Sequence, residues 1–74
     1  MRIDYDPTVD VLTVVFLQDA EVDESEESRP GVILDYDRRG ELVSIEILDA
    51  SRKNTDLSNI EFSITPQSDR REAG

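Results

Sequence analysis

The chain has 74 residues, of which 36% are hydrophobic and 5% aromatic, and its 18 acidic and 8 basic residues give a formal net charge of -10. A chain of this length forms one domain with a small core. It contains no histidine and no cysteine, which excludes disulfides, thiolate chemistry, histidine-based zinc sites and catalytic triads. Because aromatic residues are few and Trp is absent, we expect no deep small-molecule pocket and no cofactor.

The acidic excess repels phosphate backbones. The sequence therefore predicts no nucleic-acid binding and favours a basic protein partner. No segment approaches the ~20 apolar residues that span a membrane, and the first residues lack the apolar run of a signal peptide. We therefore expect a cytoplasmic protein without membrane contact.

The basic residues are seven Arg and a single Lys, Lys53. This balance is typical either of a salt-adapted cytoplasm or of an ordinary acidic bacterial protein. If the first interpretation holds, salt should screen the repulsion between carboxylates and raise the stability well beyond physiological ionic strength. Thermal unfolding from low to molar KCl checks this, and a melting temperature that stays flat or falls would contradict it.

The first two predicted strands are Arg2–Asp6 and Val9–Leu17, joined by a turn at Asp6-Pro7-Thr8, where Pro fixes φ. The second is apolar on both faces, with Leu12, Val14 and Phe16 on one and Val11, Thr13, Val15 and Leu17 on the other. Such a strand is usually central, or its second face is covered by a tail or another subunit. We expect a homodimer that buries the second face.

An acidic run, Glu21–Ser28, follows a predicted turn at Gln18-Asp19-Ala20. Its charges are typical of a solvated edge strand or loop, because they discourage edge-to-edge pairing. The alternative is an acidic contact surface for a basic protein. Both can hold, since an exposed edge can receive a strand from another chain.

Two β-branched runs, Val32–Tyr36 and Leu42–Leu48, flank turn residues Asp37 to Gly40 and predict a β-hairpin. Alternation places Val32, Leu34 and Tyr36 on one face of the first run, opposite the face shared by Val43, Ile45 and Ile47 in the second. The predicted core consists of Ile3, Tyr5, Leu12, Val14, Phe16, Val32, Leu34, Val43, Ile45 and Ile47.

After this hairpin we expect at most one short helical turn near residues 49–53 and a further strand at Asn59–Thr65. The fold class is therefore mainly β, a single small antiparallel meander of four or five strands. It occupies one domain, residues 1–65, and residues 66–74 form a disordered tail, since they contain no apolar side chain larger than Ala.

Asp35, Asp37, Gly40 and Glu46 match the spacing of a calcium-binding loop, but Arg39 occupies the position of an oxygen ligand. We interpret Asp37 and Gly40 as turn residues and expect Asp35 and Glu46 to face solvent. A second acidic set, Asp4, Asp6 and Asp10, is interpreted as structural, although carboxylates this close can hold a cation. No residue is assigned as catalytic, cofactor-binding or metal-binding.

The segments YDPTVDVLTVVF and PGVILDYDRRGELVSIEILDAS, separated by an acidic stretch, resemble the small prokaryotic family known as domain of unknown function 2283. The resemblance covers about residues 1–53. It is carried by Tyr5-Asp6, Asp10, Leu12, Pro30–Asp37 and Gly40–Ser51. The chain departs from the family pattern at Val15 and Leu17, where other members are often polar, and in its added Asn59–Thr65 segment.

The resemblance implies a short, mostly β protein without an established biochemical activity. Some members are encoded beside small toxin-like proteins, which implies an antitoxin or partner-binding role. We therefore expect a non-catalytic acidic protein-binding module. The alternatives are a structural homo-oligomer or a carboxylate-based divalent-metal-binding protein.

Overall fold

The computed structural model describes residues 1–53 and 56–67. Five β-strands and one 3-10 turn lie in these ranges. They are β1 (Arg2–Asp6), β2 (Val11–Val15), β3 (Glu24–Arg29), β4 (Val32–Tyr36), β5 (Leu42–Leu48) and the 3-10 turn at Ala50–Arg52. The predicted fold class, mainly β with a single antiparallel sheet of four or five strands and at most one short helical turn, is confirmed, but the sheet is not a simple meander because β2 and β3 are not neighbours.

All five strands belong to one open sheet with the order β1-β2-β5-β4-β3, and every neighbouring pair is antiparallel. The strands follow one another in sequence except after β2, where the chain crosses to the far edge and β5 returns to pair with β2. β5 is therefore the central strand, and β1 and β3 are the two edges.

The register divides the side chains between two faces of opposite character. We call one the apolar face; across the sheet from β1 to β3 one of its rows contains Ile3, Val14, Ile45, Leu34 and Glu26, and the next contains Tyr5, Leu12, Ile47 and Val32. We call the other the polar face; its rows contain Arg2, Val15, Ser44, Asp35 and Ser25, then Asp4, Thr13, Glu46, Ile33 and Glu27.

The predicted core residues lie together on the apolar face as expected from alternation, but they do not form a buried core. Among the described residues, the buried hydrophobic side chains are Val43 and Ala50, at 3% and 1% exposure. Ile3 remains 43% exposed and Phe16 38% exposed. Of the predicted core residues only Val43 is buried, and the expectation was wrong for the others because no second layer of the described chain covers this face.

The turns between strands are closed by local hydrogen bonds. Between β4 and β5, the backbone N–H of Gly40 donates to the Asp37 carbonyl over 3.0 Å, and Gly40 has φ +82. The Asp37 carboxylate accepts the backbone N–H groups of Arg39 and Glu41, each at 2.9 Å. Asp37 and Gly40 are therefore turn residues, as predicted.

Two predicted strands differ from the structure. The second strand is shorter than predicted, Val11–Val15 rather than Val9–Leu17. The predicted strand at Asn59–Thr65 was wrong: this segment has no strand pairing, and Ile60, Phe62 and Ile64 are 58%, 79% and 78% exposed. Of the tail predicted at 66–74, residues 68–74 lie outside the described ranges. No helix in the described residues is long and apolar enough to cross a membrane.

Candidate functional site

The polar face contains a buried carboxylate at its centre. Asp35 on β4 lies in register with Ser44 on β5 and Ser25 on β3, so a hydroxyl flanks it on each side. Ser25 Oγ donates to Asp35 Oδ1 and Ser44 Oγ donates to Asp35 Oδ2, both over 2.6 Å. Asp35 is 3% exposed and Ser44 6% exposed. A buried carboxylate requires such donors, because an unpaired charge there would be costly.

Glu46 completes this cluster from the neighbouring position on the same face of β5. It lies diagonal to Asp35, and their side chains form a hydrogen bond. This hydrogen bond, together with burial and the negative charge of Asp35, raises the pKa of Glu46 to about 7. Burial alone would raise the pKa of Asp35, but hydrogen bonds from Glu46, Ser25 and Ser44 outweigh it and lower that pKa.

The two carboxyl groups therefore share one proton at mildly acidic pH, with Glu46 as donor and Asp35 as the ionised acceptor. Both serine hydroxyls donate to this carboxylate and are held in place by it. The arrangement can take up or release a proton near neutral pH, and we call it the carboxyl pair, Asp35 and Glu46, with its two serines.

The predicted calcium-loop spacing does not form a calcium loop. Asp37 directs its carboxylate at the turn backbone, and strands rather than helices flank the turn. The expectation that Asp35 faces solvent was wrong, because the strand register places it between two serines at the centre of the sheet. Two residues of this spacing, Asp35 and Glu46, are nevertheless neighbours in the structure.

Asp10, from the second acidic set, connects β1 to the segment that follows β5. Its carboxylate accepts the Tyr5 hydroxyl at 2.8 Å, the Ser51 backbone N–H at 3.0 Å and the Ser51 hydroxyl at 2.7 Å. The Ser51 hydroxyl is the largest influence that lowers the pKa of Asp10, followed by the Tyr5 hydroxyl. We call this arrangement the Asp10 clamp, consisting of Asp10, Tyr5 and Ser51.

The other members of that set do not join Asp10. Asp6 accepts the backbone N–H of Thr8 at 2.9 Å in the predicted turn, and Asp4 is an exposed residue of β1. Within residues 1–53 and 56–67, no three acidic side chains come together as a metal site would require. An open depression of about 280 Å³ lies elsewhere, against the β4–β5 turn, and is lined by Asp19, Ala20, Glu21, Asp37, Arg38 and Arg39.

The acidic run, for which the charge pattern left an edge strand and a loop open, forms an edge strand, with the bounds Glu24–Arg29 rather than Glu21–Ser28. All six residues of β3 are exposed, and within residues 1–53 and 56–67 β3 pairs only with β4, so its other side is open to these residues. Glu24 and Glu26 lie on the apolar side of this edge, and Glu27 lies on the polar side, where its carboxylate accepts the Gly31 N–H at 2.9 Å. We call this feature the acidic edge, Glu24–Arg29.

The sequence model of the family described as "Protein of unknown function (DUF2283)" matches residues 2–51. This range contains the whole sheet, the carboxyl pair and the Asp10 clamp. No curated protein and no solved structure matches the chain. The match covers most of the chain and agrees with the resemblance found in its sequence, and the chain therefore belongs to the DUF2283 family.

Proposed function

We propose that the chain is a non-catalytic acidic protein-binding module that acts in the cytoplasm and neutralises a basic protein partner, as an antitoxin does. The acidic edge is the observation that carries this proposal. It combines an exposed strand with an open side and three glutamates, in a chain whose formal net charge is -10.

An open strand edge binds another chain by adding a strand, with main-chain hydrogen bonds providing affinity. The glutamates select which chain can bind. Two acidic edges repel each other, whereas a strand rich in Lys or Arg gains charge-assisted contacts with Glu24 and Glu26. The same side chains therefore discourage self-assembly at this edge and favour a basic partner.

The alternative of a divalent-metal-binding protein has less support. Asp35 uses both carboxylate oxygens to accept serine hydroxyls, and Asp37 accepts two backbone N–H groups. A metal ion would have to displace these donors. A structural homo-oligomer is better supported, because no layer of the described residues covers the apolar face.

Affinity capture from the lysate of the protein's own host tests the proposal. We expect one stoichiometric basic protein to be recovered with the wild-type chain and lost with the double variant Glu24→Gln/Glu26→Gln. The matched control is Glu41→Gln/Glu61→Gln, which removes the same charge from other exposed positions. Recovery of the chain alone, or equal loss with both double variants, would contradict binding at the acidic edge.

A further inference from the structure

We infer that the apolar face is a homodimer interface, in which the sheets of two copies stack with these faces together and the two-fold axis runs along β5. The central strands β2, β5 and β4 carry this interface, whereas the proposed partner adds to the open edge of β3, whose Glu24 and Glu26 lie at the rim of the apolar face. The occupant of the face is a second copy of the same chain.

The size of the face fits this occupant. Five strands spaced about 4.8 Å apart, of five to seven residues each rising about 3.4 Å, give about 400–500 Å² of flat area. The corrugation of side chains increases this towards the roughly 600–800 Å² that each partner buries in a specific interface. An identical sheet has the same dimensions and the same apolar rows, and aligned stacking of two twisted sheets is a standard arrangement.

The charges on the face determine which orientation is favourable. The three central strands contribute only apolar residues to the row Val14, Ile45 and Leu34, whereas the row ends at Glu26 on β3. A two-fold axis along β5 places each β3 over β1 of the partner, so the glutamates of the two copies are far apart. An axis across the strands would stack Glu26 on Glu26, which is repulsive.

The structure also distinguishes this face from the one first expected to form the dimer. Val11, Thr13 and Val15 lie on the polar face, where Val11 is in register with Asp6, Thr13 with Asp4 and Glu46, and Val15 with Ser44. Stacking two polar faces would bury carboxylates against carboxylates. Stacking two apolar faces buries no carboxylate on the central strands.

Adjacent residues of β2 provide a matched test, since Val14 and Val15 are both partly buried and lie on opposite faces. In sedimentation at micromolar concentration and molar KCl, we expect the wild type and Val15→Asp to be dimers. Val14→Asp should weaken the dimer by about 100-fold or more, because it places a charge in an apolar interface. A wild-type monomer, or dissociation by Val15→Asp but not Val14→Asp, would overturn the inference.

If circular dichroism shows that either variant unfolds, β1 provides a second pair. Ile3 is 43% exposed in the single chain, so Ile3→Glu should keep the fold and weaken the dimer. Arg2→Glu, on the polar face of the same strand, should leave the dimer intact although it changes the net charge more. Equal weakening by both variants would contradict an interface on the apolar face.

Two further experiments test the occupant and the orientation. Serine substitutions at Ile60, Phe62 and Ile64 should leave the dimer intact. If they dissociate the dimer, the segment that contains these residues covers the apolar face instead of the partner's sheet. Because the chain has no cysteine, a thiol cross-linker should join two copies of the Ile45→Cys variant at the two-fold axis. Efficient joining of Glu26→Cys, whose copies should be separated by about 20 Å, would overturn the orientation.

Discussion

Replacing Glu46 by Gln should raise the stability of the folded protein at pH 8. The replacement should also remove most of the change in stability between pH 4.5 and 7. The folded protein raises the pKa of Glu46 from 4.5 to about 7. Its stabilising contribution is therefore fully present below pH 4.5 and is lost as the pH rises through 7. The pKa of Asp35 is lowered from 3.8, so its effect on stability has the opposite pH dependence. Its stabilising contribution is present above pH 3.8 and is lost as the pH falls below 3.8.

Wild-type stability should therefore be higher near pH 5 than at pH 8. The shift for Glu46 corresponds to about 3 kcal/mol, which we reduce to about 2 kcal/mol because the side chain is partly exposed. The amide introduced by Glu46→Gln can still donate an N–H to Asp35 but cannot ionise, so this variant should melt about 10 °C higher than the wild type at pH 8. Melting curves at pH 5 and pH 8 measure this.

General relief of charge repulsion must be separated from the loss of this particular charge. Glu41→Gln, at an exposed position before β5, removes the same charge away from Asp35. It should change the melting temperature at pH 8 by only a small fraction of the effect of Glu46→Gln. Equal stabilisation by both variants, or a wild-type melting temperature that is the same at both pH values, would show that no proton is shared.

Replacing Asp10 by Ala should lower the melting temperature by on the order of 10 °C at neutral pH. The change removes the acceptor of three hydrogen bonds that tie β1 to the segment after β5. It also places Ala at φ +58, a backbone conformation that few residues other than Gly, Asn and Asp adopt without strain. Thermal unfolding followed by circular dichroism measures the loss.

Asp10→Asn is the matched control for the Asp10 clamp. Asn tolerates positive φ and retains one side-chain acceptor oxygen, so Asp10→Asn should lower the melting temperature clearly less than Asp10→Ala. Tyr5→Phe removes only one of the three hydrogen bonds, so it should lower the melting temperature even less than Asp10→Asn. A melting temperature of Asp10→Ala equal to that of the wild type would show that the clamp adds nothing to stability.

The sequence predicted three strands with their observed bounds, because their apolar and polar residues alternate and turn residues bound them. It left the acidic run Glu21–Ser28 open as an edge strand or a loop, and it predicted a further strand at Asn59–Thr65 that does not form. Asn59–Thr65 has the higher strand propensity, yet Glu24–Arg29 forms the strand, since the short Pro30–Gly31 turn brings it directly beside β4. Propensity was overruled by the local pairing that a short hairpin provides.

The carboxyl pair could be predicted only in part. The hairpin register alone places Asp35, Ser44 and Glu46 on one face, and this signal was available from alternation. The polar character of Asp35 and Glu46 predicted solvent exposure, and the fourth contributor, Ser25, lies in the acidic run that the pattern left open as an edge strand or a loop. The burial of Asp35 depends on pairing between β3 and β4, and the alternation of apolar and polar residues within the acidic run does not reveal this pairing.

Hydrogen–deuterium exchange on the free chain and on the complex recovered by affinity capture tests binding at the acidic edge most directly. Half of the amides of an edge strand point away from the sheet, so β3 should exchange rapidly in the free chain. We expect these amides to become protected in the complex, while those of the opposite edge, β1, remain unchanged. Protection at β1 with none at β3 would contradict the proposal that the acidic edge binds the partner.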